Sequence, residues 1–244
     1  MPGYVIHLTE AEMIRRQLEK KGLGIAKDKK WYNSFFYGAL LPDASIKEYK
    51  AESHFWDKKL KDRIIMVPKL EVFQEKYENL FTDPVVGGYF AHLHLEYYFF
   101  TEYLMRMVVF LNAHGEKEEH LSQVREACIV KSGKCVSIQD FFSEKYLYGD
   151  YTKLNTYLIK AFDLNGMVDC SNVSPILVKE AQSENMQNVI DKLGKFISIG
   201  RKQQVESLNV FTIDSLIEFL EEVSREIVEM YCGIETGTFC YRGI

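Results

Sequence analysis

Two histidines and a glutamate lie within an otherwise apolar and aromatic run, GGYFAHLHLEYYFF, at residues 87–100. Burying such side chains costs free energy unless each finds a partner. If the run is helical, His92 and Glu96 lie one turn apart on the same face, whereas His94 is rotated by about 200° from His92 and faces away. The imidazole and carboxylate of such an i, i+4 pair can bind one metal ion, but a hydrogen-bonded pair within the core is the more ordinary interpretation.

Three further residues with the chemistry of metal ligands lie upstream of this run. His7 is in the apolar VIHL, Asp43 follows Pro42, and His54 lies in ESHFWD. Each also has an ordinary interpretation when taken singly. His7 could cap the first helix or pack in the core, Asp43 could cap a turn, and His54 could be a surface histidine. Taken together, imidazoles and carboxylates without a cysteine ligand suit zinc, iron(II) or manganese.

Apolar residues at helical spacing predict helices along most of the chain. Asp83 and Pro84 predict the start of a long helix that runs to about Asn112, and Thr9 with Glu12 predicts a capping box for a helix over 8–21. Strand signals are sparse; residues 59–68 are the main exception, and an extended loop is the alternative there. The sequence therefore predicts an all-α fold, a single-domain multi-helix bundle over residues 1–244.

Composition narrows the class of protein. Hydrophobic residues make up 47% of the chain, enough for a large core, and the net charge of −5 gives no indication of nucleic-acid binding. The longest apolar run, around 103–111, contains Arg106 and is too short to be a transmembrane segment. With no basic leader before an apolar stretch, we expect a cytoplasmic protein. The cysteines are odd in number and lack a CxxC pair, so we expect reduced, mostly buried thiols at Cys128, Cys135, Cys170, Cys232 and Cys240.

Five short motifs occur in a distinctive order within residues 1–162: MPGYVIHL, YGALLPD, SHF, GGYFAHLHLEYYF and YGDYTKLNTYLI. This order resembles bacterial proteins of the zinc-dependent phospholipase C superfamily, and more closely a cytoplasmic branch of it. Residues 163–244 have only a generic helical likeness. The resemblance implies a bundle of the phospholipase C/P1 nuclease type whose metal ligands are His7, Asp43, His54, His92, Glu96 and, from another helix, Asp150.

The resemblance also implies a reaction. One or two divalent ions, zinc foremost with iron or manganese as alternatives, would activate water to hydrolyse a small phosphoester. Asp43 is the best candidate for the residue that activates or orients this water. The sequence does not indicate the substrate or the oligomeric state.

Departures from the family pattern leave an alternative open. Glu96 stands where the family usually has a bridging aspartate, and its extra methylene could shift the metal spacing; a misplacement of about 1 Å can cost roughly a hundredfold in rate. The N-terminal tryptophan and a later His-x-x-x-Glu pair of the secreted enzymes have no clear counterpart. The alternative is a catalytically degenerate helical protein that binds a metal or ligand in the same cleft, with tyrosines nearby: Tyr89, Tyr97, Tyr98 and Tyr103.

Overall fold

The computed structural model describes residues 3–165 and 168–236, and most of these residues are helical. The buried apolar side chains form a continuous core that extends along the chain from Val5 to Tyr231. The helices are α1 (Tyr4–Lys20), α2 (Lys29–Leu40), α3 (Lys50–Ser53), α4 (Leu70–Tyr77), α5 (Pro84–Tyr98), α6 (Leu104–Met107), α7 (Ile138–Phe141), α8 (Leu147–Ala161), α9 (Met186–Gly200) and α10 (Ile213–Thr236).

Helix α1 begins four residues earlier than the sequence predicts. Gly3 is its N-cap, and the predicted capping box is wrong because Thr9 lies inside the helix, where its hydroxyl donates to the carbonyl oxygen of Val5. Glu12 instead pairs with Arg15 and Arg16 on the same helix. The consequence for the candidate site is that His7 is held within a regular helix.

Helices α2 and α5 pack closely because glycines lie where they meet. A Cβ atom on Gly38 would be 2.3 Å from the carbonyl oxygen of Val85, and one on Gly88 would be 2.0 Å from that of Phe35. Both positions therefore require glycine. This contact brings the last turn of α2 against the middle of α5, where the histidines of the opening motif lie.

The predicted start of α5 is confirmed, and its predicted end is wrong. The carboxylate of Asp83 accepts hydrogen bonds from the backbone N–H groups of Val85 and Val86, with Pro84 in the first turn. The helical path then widens into a π-helical segment, Phe99–Tyr103, and stops at Met107 after α6.

A small antiparallel sheet follows, which the sequence did not predict. Its strands are β1 (Val108–Leu111), β2 (Glu126–Ile129) and β3 (Lys134–Ser137), in the order β1-β2-β3. The stretch at 59–68, for which a strand and an extended loop were both open, forms no strand; it contains part of a 3₁₀ turn (Lys58–Leu60) and isolated bridges at Arg63 and Pro68. The chain is thus mostly helical with one added sheet.

The cysteine prediction needs correction. Cys128 and Cys135 are opposite each other in the β2–β3 ladder and form a disulfide. Cys170 is exposed and Cys232 is partly buried, so the expectation of mostly buried thiols is also wrong there. Cys240 lies outside the described residues.

Among the residues that the structure describes, no helix combines the length and the apolarity that crossing a bilayer requires.

Candidate metal centre

Four separate segments bring five predicted ligand residues together. His7 lies in α1, and Asp43 lies in a 3₁₀ turn (Leu41–Ala44) directly after α2. His54 is the C-cap of α3, and His92 and Glu96 lie in α5. Four of them are fully buried, and Asp43 is 8% exposed.

His92 is oriented by the backbone of α2. Its Nδ1 atom is 2.8 Å from the carbonyl oxygen of Ala39. A carbonyl only accepts, so Nδ1 carries the proton and Nε2 keeps its lone pair. That nitrogen lies 3.9 Å from Oε1 of Glu96, one turn along the helix. A backbone carbonyl behind the ring is a common arrangement for histidines that bind a metal.

His54 is held in the same way by the short helix that precedes it. Its Nδ1 atom lies 3.0 Å from the carbonyl oxygen of Lys50 and 2.9 Å from the hydroxyl of Ser53. The carbonyl again assigns the proton to Nδ1. Its Nε2 atom then faces Oδ1 of Asp43, 3.6 Å away.

His7 stacks on His92, with ring centroids 3.7 Å apart and planes within 11°. Neither of its ring nitrogens has a hydrogen-bond partner among the described residues. Burial lowers the pKa of His7 to about 3 and lowers that of His92 well below its ordinary value. Both rings are therefore neutral near pH 7, which is the form that binds metals.

The pKa values of the two carboxylates, Glu96 and Asp43, are shifted in opposite directions. Burial raises the pKa of Glu96, and neither of its oxygens has a hydrogen-bond partner within the described part of the chain. Burial would also raise the pKa of Asp43, but its contacts with His54 and with the ammonium of Lys50 hold it well below its ordinary value. Asp43 is therefore ionised, with one oxygen 3.0 Å from the ammonium of Lys50.

The spacing of these atoms fits a divalent cation. Potential ligand atoms lie within 4.8 Å of one another in two groups, His7–His92–Glu96 and Asp43–His54–His92. Ligands of a tetrahedral zinc ion, with bonds of about 2.0–2.1 Å, are about 3.3 Å apart, close to the 3.6 Å and 3.9 Å separations observed. Nε2 of His54 and Oδ1 of Asp43 face each other at a distance that either a proton or a metal ion can bridge.

His92 belongs to both groups but has only one free lone pair. Since Nδ1 is committed to Ala39, Nε2 can bind a single ion. The residues therefore suit either one ion held by one of the two groups of three, or two adjacent ions of which one takes His92. These side chains could hold a metal in either arrangement.

Asp150 is not brought into this cluster. Its carboxylate accepts hydrogen bonds from the backbone N–H groups of Asn209, Val210 and Phe211, and it belongs to neither candidate group. It anchors the segment before α10 to the first turn of α8. The YGDY motif therefore places its aspartate in a structural position.

Other histidines and glutamates lie away from the cluster. His94 faces away from His92 as predicted, with Nε2 3.0 Å from Glu226 of α10. Glu102 pairs with Arg106 at 2.9 Å on the surface. The His114-x-x-x-Glu118 spacing falls in the exposed connection between β1 and β2.

A cavity of about 670 Å³ adjoins the cluster at Asp43. Its wall includes Lys50, Trp56, and two residues one turn apart on α8, Tyr151 and Asn155. Three polar atoms of these residues are buried without hydrogen-bond partners among the described residues: Nε1 of Trp56, the phenol oxygen of Tyr151 and Oδ1 of Asn155. None of the four tyrosines that the sequence suggested as pocket residues lines this cavity.

Sequence reasoning missed these cavity residues and one buried acid. Tyr151 and Asn155 lie in the motif that singled out Asp150, and their i, i+4 spacing was the available signal. Glu10, one turn after His7, is fully buried, and neither carboxylate oxygen has a partner in the described ranges. Nothing in the local sequence distinguishes it from a surface glutamate.

Comparisons of the chain with protein-family models, with curated proteins and with solved structures find no match. The likeness to the zinc-dependent phospholipase C superfamily therefore rests on the five sequence motifs alone and stays a prediction.

Proposed function

We propose that this protein is a metal-dependent hydrolase of a phosphoester, with a fold of the phospholipase C/P1 nuclease type. The observation that carries the proposal is the convergence of five buried imidazoles and carboxylates whose free nitrogen and oxygen atoms face one another at ligand spacing. Zinc is the first candidate, with iron(II) or manganese as alternatives, because the donor set contains nitrogen and oxygen but no sulfur.

A divalent ion in this centre would lower the pKa of a coordinated water and polarise a phosphoryl oxygen. His54 and His92 are suited to hold it because backbone carbonyls fix their tautomers and ring positions. Glu96 is protonated over a wider pH range than usual and must release that proton to bind a cation.

Asp43 is the candidate for orienting the attacking water. Among the described residues, it is the one member of the five that also lines the cavity. It is ionised, so its oxygens can accept a hydrogen bond from a water and orient it. These two properties put a carboxylate at the boundary between the proposed centre and the space for a substrate.

The cavity has the size and lining expected of a small-molecule site. Trp56, Tyr151 and Asn155 line the cavity and each has a buried polar atom without a partner, which a rotation of the side chain would present to a ligand. The aromatic rings beside them would pack against its organic part.

Hydrolysis assays test the proposal. We expect the zinc- or manganese-loaded protein to turn over at least one member of a panel of phosphomonoesters and phosphodiesters, and a chelator to abolish that turnover. Asp43→Asn should lower kcat by about 10²-fold or more. Asp57→Asn, which alters a partly exposed cap of the 3₁₀ turn at Lys58–Leu60, should leave kcat unchanged.

The catalytically degenerate alternative has one observation in its favour. Lys50 donates a hydrogen bond to Asp43, which occupies the carboxylate that would orient the attacking water. Zinc binding without turnover of any ester would favour this alternative, and turnover abolished by chelation would remove it.

A cytoplasmic location stays a prediction. The Cys128–Cys135 disulfide is more typical of oxidising compartments.

A further inference from the structure

Lys50 holds a distinctive position at the boundary between the candidate centre and the cavity. Its ammonium is 3.0 Å from Oδ1 of Asp43, and its side chain is 28% exposed. It is the one cationic side chain among the described residues that line the cavity. Its backbone carbonyl also contacts Nδ1 of His54, so the same residue supports a candidate ligand and faces the cavity.

Without a metal, this lysine is not available to a ligand. Its charge is matched by Asp43, and the charged side chains of the cavity wall are Asp43, Lys50 and the exposed Glu144. Their sum is one negative charge, which disfavours an anion. An anion would have to compete with a carboxylate already in contact with the ammonium.

A divalent ion on Asp43 would change this balance. The carboxylate would then share its charge with the metal, and the ammonium would lose most of the attraction that holds it. Two cationic groups, the ion and Lys50, would face the same end of the cavity. An anion placed between them would relieve their repulsion.

We propose that Lys50 is the anion-binding residue of the cavity, and that metal binding at Asp43 releases it to hold a phosphoryl group. This rests on the proposed function and specifies the substrate: a phosphate group bound between the ion and Lys50, with its organic part toward Trp56, Tyr151 and Asn155. Because binding energies are linked, phosphate and metal must strengthen each other's binding by equal factors.

Titration calorimetry with zinc and with inorganic phosphate tests the inference. We expect phosphate to bind the zinc-loaded protein at least about tenfold more tightly than the metal-free protein. Lys50→Met should weaken phosphate binding to the zinc-loaded form by about tenfold or more. Lys50→Arg should retain most of the affinity, and Lys47→Met, an exposed lysine three residues away, should retain all of it.

The same variant gives a second signal of opposite sign. Removing the ammonium frees Asp43, so Lys50→Met should bind zinc more tightly, by up to about fivefold. A misfolded variant would bind both ligands less well. Equal phosphate affinity in Lys50→Met and wild type, both zinc-loaded, would overturn the inference while leaving the metal centre intact. Failure of the wild type to bind zinc would overturn the proposed function itself, and this inference with it.

Discussion

His92 and His94 are two positions apart in the chain and have different surroundings. His92 is held by Ala39 and directs its free nitrogen to the cluster, whereas His94 contacts a glutamate of α10. The helical period alone predicted this division, because two residues turn the helix by about 200°. Local spacing was therefore sufficient for the orientation of these side chains.

Asp150 marks where local spacing was insufficient. The motif containing it does reach the cavity, but through Tyr151 and Asn155, while the aspartate binds backbone N–H groups at 209–211. A buried carboxylate can be stabilised by backbone N–H donors or by a cation. Which of the two binds Asp150 depends on the segment at 209–211, about 60 residues away in the chain. No property of the motif itself contains that information.

Glu10 gives a prediction about pH. Burial raises its pKa well above the ordinary value, so the folded chain keeps a proton that the unfolded chain releases as the pH rises. Stability must then fall with rising pH through that window. In metal-free protein, Glu10→Gln should therefore become more stable relative to wild type between pH 5 and 7.5, by at most about 1.4 kcal/mol per pH unit. Urea unfolding at several pH values measures this difference.

Glu12, two residues after Glu10 on the same helix and only partly buried, is the matched control. Its pairs with Arg15 and Arg16 outweigh the effect of burial and lower its pKa. The stability that it contributes is complete above its ordinary pKa and is lost only as the pH falls further. The Glu12→Gln difference should thus stay constant from pH 5 to 7.5. A constant difference for Glu10→Gln as well would show that Glu10 is ionised in the folded protein.

The contact between α2 and α5 positions the centre, because Ala39 on α2 orients His92 on α5. Gly88→Ala would place a methyl group 2.0 Å from a carbonyl oxygen of α2 and force the helices apart. We expect a loss of about 1–3 kcal/mol or more in unfolding free energy, together with weaker metal binding. Thermal and urea unfolding, with zinc titration, measure both effects.

Gly194, in α9, is the control for this substitution. It is also a helical glycine, but a Cβ atom there would meet no heavy atom within 4 Å. Gly194→Ala should stabilise the protein by about 0.5–1 kcal/mol, which is the gain in helix propensity. Loss of stability in both variants, by similar amounts, would contradict the assigned role of the α2–α5 contact.

The start of a helix was predictable where a side chain caps its first N–H groups, and the other helix ends were not. Asp83 binds the first N–H groups of α5, and the sequence predicted that start correctly. Thr9 and Glu12 have the same spacing as a capping box but lie within α1. The apolar run after residue 98 fits a helix and a strand equally well, and the pairing of β1 with β2 across 14 residues decided for a strand at 108–111.

The molecule as a whole has a mostly helical fold, as predicted, and an unpredicted sheet. Five of the six predicted ligand residues converge, although they come from four segments spread over 90 positions. Composition and periodicity could not have predicted this convergence; the order of motifs suggested it through the family resemblance. Residues of α8 and α9 form much of the cavity wall that Lys50 faces. No local sequence pattern indicates how these two helices pack beside the centre.

The most direct test of this account is zinc binding by the purified protein, compared between His92→Ala and His94→Ala. We expect one or two zinc ions per wild-type chain by equilibrium dialysis with elemental analysis. His94→Ala should match the wild type, and His92→Ala should lose more than about a hundredfold in affinity, exceeding the loss typical of outer hydrogen-bond partners. His54→Ala, also within the cluster, should fail in the same way, and circular dichroism should show that all three variants are folded. No stoichiometric zinc in the wild type, or equal zinc binding by folded His92→Ala and His94→Ala, would contradict the account.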